Sequence, residues 1–224
     1  MRLQKKACIF GLFILVSSLG FANVSGEKVV LVTGFEPFGA FATNPSQLIA
    51  ETLNGTSLND AELIGIVLPV DFNKSLERAI EAVKRYHPNL VISVGLAARS
   101  KVVRVEKIAV NLKRFQNDDG TWSFPQRIDK HGPFFRVTTL HTSDITRKIQ
   151  DAQIPVRQSF FAGFYICNAL YYGLIGYVND QNINTTICFL HVPLLDSQDP
   201  QGMPLETMVD AVKIAIQVSL GEIF

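Results

Sequence analysis

The sequence lacks the features that mark several large classes of protein. The net charge of its 224 residues is +1 and no basic cluster is interleaved with aromatic residues, so we expect no nucleic-acid partner. Its four histidines have no metal-ligand spacing and no Cys-x-x-Cys pair occurs, so we expect no metal. Gly34 and Gly39 are spaced as in a phosphate loop, but Ala40 and Phe41 stand where Lys and Ser or Thr would bind phosphate and magnesium. No nucleotide or other cofactor is therefore implied.

Long hydrophobic runs are also scarce, and the one at the amino terminus is short. Arg2, Lys5 and Lys6 precede this run, and small residues follow it up to Ala22. This order is typical of a secretory signal peptide over residues 1–22, which predicts an exported protein, periplasmic or secreted. The run is too short and too interrupted for a comfortable membrane span, so we expect no stable membrane insertion once the signal is removed. An uncleaved anchor is the alternative.

Cysteine is rare, and its scarcity excludes a disulfide framework. Removal of the signal peptide would take away Cys8 and leave Cys167 and Cys188 in residues 23–224. Two cysteines allow one structural disulfide in an oxidising compartment, or two buried thiols. The remaining chain of about 200 residues is long enough for one domain with one core.

Strand and helix patterns alternate along the chain. The apolar run at residues 29–32 is typical of a strand buried on both faces, and Asn44 and Pro45 mark the start of a helix that ends near Leu53. Further strands are predicted at residues 61–70, 90–95, 101–111, 156–160 and 185–192, and further helices at 72–86, from Ser143 or Asp144 to Pro155, around 170–178 and around 205–216. Residues 116–135 form a long loop or a β excursion. The alternation predicts an α/β fold, a single-domain three-layer sandwich with a twisted, mostly parallel sheet and helices on both faces.

Cys167 is the first candidate for chemistry. It lies where a strand and a turn at Gly163 give way to a helix, so its sulfur is expected near the positive end of the helix dipole. This position predicts a lowered thiol pKa and therefore a reactive thiolate. The amides of the first helical turn could also receive an oxyanion, as acyl transfer requires.

His191 is the second candidate, because it closes an apolar strand. Side chains alternate along a strand, so His191 shares a face with Phe189 whereas Cys188 lies on the opposite face. The ring then emerges at the carboxyl end of the strand, where open α/β sheets place their ligands. A core imidazole bound to backbone groups is the alternative for His191, and Cys188 is more simply a small core residue.

Glu106 is a carboxylate inside an otherwise apolar and basic strand. Taken alone, it is more simply an ordinary solvent-facing carboxylate paired with Lys107 or Arg104 than a catalytic residue. Spacing by itself does not connect residues 106, 167 and 191.

Four separate segments resemble pyroglutamyl peptidase I, a family of cysteine peptidases, in the same order as in that family. They are VTGFEPFG at 32–39 followed by NPS at 44–46, EKIAVN at 106–111, AGFYICN at 162–168 and FLHVP at 189–193. The resemblance covers nearly all of the chain after the signal. It implies an ω-peptidase that removes an N-terminal pyroglutamate from peptides through a thioester intermediate.

The resemblance also implies roles for individual residues. Cys167 would be the nucleophile, His191 the base and then the acid, and Glu106 the residue that orients His191. Residues that would enclose or shape the pocket for the lactam ring are Phe35, Phe38, Asn44, Tyr165 and Ile166. An uncharged ring needs apolar walls, which suits these aromatic residues, although each Phe is also consistent with the core. Arg114 corresponds to a family arginine near the thiolate.

The sequence departs from the family pattern in two places. Residues 94–99 (VGLAAR) differ from the polar and glycine-rich continuation that many relatives carry after Val-Gly, and the familiar members are cytosolic. Relatives include oligomers, so a homo-oligomer is among the expected states. The rival hypothesis is a non-catalytic exported protein that keeps the fold and binds a small molecule or peptide in the pocket.

Overall fold

The computed structural model describes residues 28–117 and 119–221, so the predicted signal peptide lies outside the described residues. The strands are β1 Lys28–Phe35, β2 Thr56–Leu58, β3 Ala61–Leu68, β4 Leu90–Leu96, β5 Val103–Glu106, β6 Ile108–Val110, β7 Phe135–Val137, β8 Val156–Ser159 and β9 Thr186–Val192. The helices are α1 Pro45–Leu53, α2 Lys74–Tyr86, α3 Thr142–Asp151, α4 Ile166–Asp180 and α5 Leu205–Ser219. Among the described residues, no helix is long and apolar enough to cross a membrane.

Seven strands form one sheet in the order β2-β3-β1-β4-β9-β5-β8. Strands β3, β1, β4 and β9 run parallel to one another, β2 and β5 are antiparallel to their neighbours β3 and β9, and β8 is parallel to β5. The predicted interior position of the first strand is confirmed, since β1 lies between β3 and β4 and its residues Val30, Leu31 and Val32 are fully buried. The predicted mostly parallel α/β sheet is confirmed as well.

Helices cover both faces of this sheet. One core lies between the sheet and α1, α3 and α5, and it contains Cys188, Leu190 and Val192 of β9. The other core lies between the sheet and α2 and α4, and it contains Ile187 and Phe189. The predicted alternation along β9 and the three-layer sandwich are thereby confirmed.

The predicted strand at 101–111 is wrong as one continuous element. It is divided at Lys107, whose N–H donates to Ser159 O at 2.7 Å and whose carbonyl accepts from Thr138 N at 3.2 Å. These contacts turn the chain out of the main sheet, so β6 pairs with β7 in a separate two-stranded sheet. The start of α3 also differs, because His141 occupies the capping position and neither Ser143 nor Asp144 does.

The topology brings six chain segments to one edge of the sheet. The carboxyl ends of β3, β1, β4 and β9 lie there, and the antiparallel pairing of β5 with β9 brings the start of β5 to the same edge. Because β8 is parallel to β5, its first residues lie there too. This edge carries the site described next.

Candidate active site

Glu106 and His191 meet on neighbouring strands. Strand β5 pairs with β9 so that Arg104 lies opposite His191 and Glu106 opposite Phe189. His191 Nδ1 lies 2.8 Å from Glu106 Oε1, and both side chains are buried. The alternative of a solvent-facing carboxylate at Glu106 is therefore wrong. Burial of a lone carboxylate is costly, and the hydrogen bond to His191 offsets that cost here.

Arg104 shares the same carboxylate oxygen. Its Nη2 lies 2.8 Å from Glu106 Oε1, and it donates a further hydrogen bond of 2.8 Å to Ser159 Oγ. The second oxygen, Glu106 Oε2, and Arg104 Nε are buried without a hydrogen-bond partner. Arg104 therefore balances the charge of the buried Glu106 carboxylate.

Cys167 lies in the first turn of α4, as the sequence predicts. The turn before the helix contains Gly163 at φ 88°, a backbone conformation that favours glycine. Tyr165, the N-cap residue, makes no side-chain capping bond. The first N–H groups of a helix have no intrahelical acceptor, so those near Cys167 are free to bind an incoming oxyanion.

The sulfur of Cys167 lies against β4. A Cβ atom added at Gly95 would stand 2.8 Å from Cys167 Sγ and 3.0 Å from Phe189 Cζ. Gly95 is the register partner of His191, so the absence of a side chain there lets the sulfur approach the strand that carries the imidazole. Within the described chain, no hydrogen bond joins Cys167 to His191, and contacts of catalytic groups often tighten only when substrate binds.

The pKa of Cys167 differs from the sequence expectation. Burial raises the pKa of this thiol from 9.0 to about 12, and the Glu106 carboxylate acts in the same direction. Its own backbone N–H and the Arg104 guanidinium lower the pKa without reversing the effect of burial. The prediction of a lowered pKa is thus wrong for the resting protein, because desolvation of the thiolate outweighs the helix terminus. The residue as a whole is partly exposed, whereas its thiol is in a desolvated position.

Cys188 lies in the core on the opposite face of the sheet, as predicted. It is fully buried, and burial raises the pKa of its thiol to about 12. Both cysteines are free thiols, so the structure contains no disulfide between them.

A small cavity adjoins the sulfur. It is lined by Phe35, Phe38, Asn44, Val70, Leu96, Tyr165, Ile166 and Cys167. The five residues predicted to enclose or shape the lactam pocket therefore come together beside the predicted nucleophile. The cavity volume is about 20 Å³, enough for little more than one water molecule, so a lactam ring needs its walls to move apart.

Two of these wall residues also have structural tasks. Phe35 is 3% exposed and belongs to the core on the α2 and α4 face. Asn44 caps α1 by accepting from Ser46 N at 3.0 Å, and its Nδ2 donates to Glu36 O at 3.0 Å. The amide of Asn44 is therefore committed to the backbone, which leaves it the role of shaping the wall.

Comparisons with known proteins identify the family of this chain. The pyroglutamyl peptidase family model matches residues 28–222. The chain belongs to the pyroglutamyl peptidase family. It is 34% identical over 196 residues to pyrrolidone-carboxylate peptidase of Vibrio campbellii. The aligned region covers 85% of this chain and 92% of the relative.

Solved structures of the pyroglutamyl peptidase family share the fold. The pyrrolidone carboxyl peptidase from Thermococcus litoralis has a TM-score of 0.81 and 30% identity, over 87% of this chain and 94% of that one. Pyroglutamyl peptidase I of Bacillus amyloliquefaciens has a TM-score of 0.81 and 32% identity, over 87% of this chain and 98% of that one. Membership makes the chain an enzyme of the hydrolase class, and the similarity extends over nearly all the described residues.

Arg114 is not brought into the cavity. Its Nε donates to Ser123 O at 2.7 Å, and its guanidinium lies 6.0 Å from the centre of the Trp122 ring. These contacts hold the loop that follows β6. The arginine that contacts the candidate catalytic groups is instead Arg104.

Val70 and Leu96 were not predicted as parts of this candidate site, and Arg104 was predicted only as a partner of a solvent-facing Glu106. Arg104 precedes Glu106 by two residues on a strand, and such residues share a face, so this signal was present. Val70 and Leu96 stand at or just after the carboxyl ends of parallel strands, where α/β proteins bind ligands.

In the part of the chain that the structure describes, no group of three or more His, Cys, Asp or Glu side chains could hold a metal ion.

Proposed function

We propose that this chain hydrolyses the bond between an N-terminal pyroglutamyl residue and the rest of a peptide, with Cys167 as nucleophile. The observation that carries the proposal is the buried hydrogen bond between Glu106 and His191, beside a cysteine at a helix start. The position of the Cys167 sulfur beside Gly95, the register partner of His191, supports grouping these three residues, which are far apart in sequence. A nucleophile, a base and a residue that orients the base form the arrangement used in covalent acyl transfer.

The first half of the reaction forms a thioester. His191 accepts the thiol proton, and Cys167 Sγ attacks the pyroglutamyl carbonyl carbon, which gives a tetrahedral oxyanion near the first-turn amides of α4. His191 then returns the proton to the leaving nitrogen, the C–N bond breaks, and the shortened peptide departs with a neutral amine.

The second half regenerates the enzyme. A water molecule attacks the thioester carbon while His191 removes one of its protons. The C–S bond breaks, pyroglutamate leaves, and the proton returns to the Cys167 sulfur. Glu106 accepts a hydrogen bond from Nδ1–H of His191. Nε2 is therefore the nitrogen that accepts and returns the reacting proton in both halves.

The raised pKa of Cys167 determines when the thiolate appears. A thiol with a pKa of about 12 is protonated at neutral pH, so the thiolate forms only together with an imidazolium at His191. Substrate that fills the cavity excludes water and strengthens this ion pair. We therefore propose that proton transfer and ring binding are coupled.

The test combines thiol chemistry with turnover. Purified mature protein is titrated for free thiols, alkylated with iodoacetamide, and assayed on a pyroglutamyl-coumarin substrate. Loss of hydrolysis in proportion to Cys167 labelling supports the proposal. A protein with accessible Cys167 that binds pyroglutamyl peptides without cleaving them would instead be the non-catalytic binding protein.

We also propose that the chain is exported as a periplasmic or secreted protein after cleavage behind Ala22. The basic start, apolar run and small residues of the first 22 positions support this proposal. Cell fractionation with N-terminal sequencing of the mature protein tests it, and an intact Met1 in the cytosolic fraction would contradict it. Self-association into a homo-oligomer is a separate proposal that light scattering tests.

A further inference from the structure

A second groove lies at the same sheet edge as the candidate active site. Its volume is about 350 Å³, and it is lined by Ala97, Ala98, Arg99, Ser100, Arg104 and Arg157. Arg99 and Arg157 are exposed, and neither guanidinium forms a hydrogen bond or an ion pair with the described residues. Since Arg104 is neutralised by Glu106, the groove carries two uncompensated positive charges.

The groove is continuous with the candidate catalytic groups. Arg104 belongs to both, because it lines the groove and contacts the Glu106 carboxylate that binds His191. Ala97 N donates to Val192 O at 2.9 Å, which ties the groove loop to the residue after His191. Leu96, one residue before the groove lining begins, lines the small cavity next to Cys167.

Arg157 faces the same side of the sheet as these groups. It is the register partner of Arg104 on β8. Its neighbour Val156 packs into the core with α1, α3 and α5, so alternation puts Arg157 on the opposite face, with Arg104 and His191.

The strand order arranges the three parts in a line. The small cavity lies at the ends of β1, β3 and β4, Cys167 and His191 lie at β4 and β9, and the arginines follow at β5 and β8. A substrate with its ring in the cavity and its carbonyl at Cys167 therefore directs its leaving portion toward the arginines.

We propose that this groove is a subsite for a carboxylate on the leaving portion of the substrate. The inference rests on the proposed function, since the ring and scissile bond define the direction. Arginine presents a planar fork that binds a carboxylate through two parallel hydrogen bonds. The carboxylate is either the free C-terminus of a pyroglutamyl dipeptide or an acidic side chain close to the scissile bond.

Binding to a Cys167→Ala protein tests the subsite without turnover. Calorimetry compares pyroglutamyl-alanine with its C-terminal amide, and pyroglutamyl-aspartyl amide with pyroglutamyl-asparaginyl amide. We expect at least one acid to bind about tenfold more tightly than its neutral partner, which is a modest effect because the arginines are exposed. The first pair reports the C-terminus and the second the side chain.

Arginine variants assign the preference to the groove. Adding Arg99→Gln and Arg157→Gln to the Cys167→Ala protein should abolish the preference for the acid, and 0.5 M salt should weaken it. The matched control is Arg147→Gln, an exposed arginine of α3 whose helix packs on the other face of the sheet. This control should keep the preference, and thermal unfolding confirms that all variants are folded.

The outcomes separate the subsite from the reaction. Equal affinity for acids and amides, absence of binding by all four peptides, or an acid preference that survives loss of both arginines overturns the subsite. Hydrolysis of pyroglutamyl-coumarin by the unmodified chain decides the proposed reaction independently. An active enzyme with no acid preference would retain the reaction and lose the subsite.

Discussion

Glu106 and His191 are joined by one 2.8 Å hydrogen bond through Glu106 Oε1, while Oε2 of the same carboxylate has no hydrogen-bond partner. The contact holds one ring nitrogen of His191 as a donor and leaves the other free to exchange protons. In the proposed reaction, Glu106 therefore acts through the imidazole, whereas His191 itself accepts and returns the proton. This difference sets the order of effects expected from substitution.

His191→Ala should remove activity almost as completely as Cys167→Ala, whereas Glu106→Gln should leave measurable activity. An amide at position 106 can stabilise the wrong tautomer of His191, and losses of about 10²–10⁴-fold are expected for such an orienter. The measurement is kcat/KM on pyroglutamyl-coumarin below saturation. Wild-type activity in Glu106→Gln would contradict the role given to Glu106.

This experiment needs a stability control, because Glu106→Gln also leaves Arg104 without its counterion. Breaking a buried ion pair destabilises a protein by about 3–5 kcal/mol. Assays should therefore be run well below the Tm of the variant. A variant that is folded yet slow separates the catalytic effect from loss of folded protein.

Cys167→Ala should abolish turnover with little change in folding, whereas Cys188→Ala should keep most of the activity. Cys188 packs in the core on the other face, so its truncation should cost about 1–2 kcal/mol of unfolding free energy and little kcat. Steady-state kinetics and urea unfolding check both statements. Equal loss of activity in the two variants, with native circular dichroism, would indicate a shared role of the two cysteines.

The pH dependence of Cys167 alkylation should move in opposite directions when its charged neighbours are changed. Burial is the main cause that raises the pKa of Cys167, the Glu106 carboxylate adds to it, and Arg104 lowers it. Arg104→Gln should therefore shift iodoacetamide labelling to higher pH, and Glu106→Gln should shift it to lower pH. A shift in the same direction for both variants would show that structural disturbance, not charge, controls the thiol.

Cys188 should make the fold sensitive to alkaline pH. Its pKa is raised to about 12 by burial, so the unfolded chain loses this proton near pH 9 while the folded chain keeps it. The stabilising contribution is fully present below pH 9 and is lost as the pH rises toward 12, by up to about 1.4 kcal/mol per pH unit. Urea unfolding from pH 8 to 11 should show a smaller decline for Cys188→Ala than for the unmodified chain. Equal declines of the unfolding free energy in the two proteins would mean that Cys188 does not contribute to its pH dependence.

The cavity should select a neutral lactam. A glutaminyl or prolyl substrate brings a charged amine between Phe35 and Phe38, and an unpaired charge there costs several kcal/mol, or roughly a thousandfold in kcat/KM. The test compares kcat/KM for pyroglutamyl, prolyl and glutaminyl coumarin amides at neutral pH. Phe38→Ala should reduce the difference in kcat/KM between these substrates. Comparable kcat/KM values for pyroglutamyl and prolyl substrates in the unmodified enzyme would contradict the proposed pocket.

Local patterns predicted much of the fold because they depend on nearby residues. The alternation along β9 predicted the opposite faces of Cys188 and His191, and the turn at Gly163 predicted Cys167 at a helix start. The division of the chain at Lys107 was not predicted, because it depends on hydrogen bonds to Ser159 and Thr138 that are distant in sequence.

The candidate site was harder to predict from local sequence patterns than the fold was. The register of β5 against β9 brings Glu106 and Arg104 to His191, and no spacing rule specifies a pairing over such a distance. Family resemblance supplied the proposed triad, yet it pointed to Arg114 as the arginine near the thiolate, and the structure has Arg104 in contact with Glu106. The pKa of Cys167 was mispredicted because the helix terminus is a local feature, whereas desolvation depends on the packing of the whole site.

The position of the two thiols on opposite faces of the sheet would limit oxidation of the protein if it is exported as proposed. An internal disulfide would require the sheet to open, so oxidation cannot lock the folded chain upon itself. Cys167 is then free to pair with a thiol from outside. Reversible inactivation would take the form of a mixed disulfide or a covalent pair of molecules, and a reductant would restore the enzyme without any refolding.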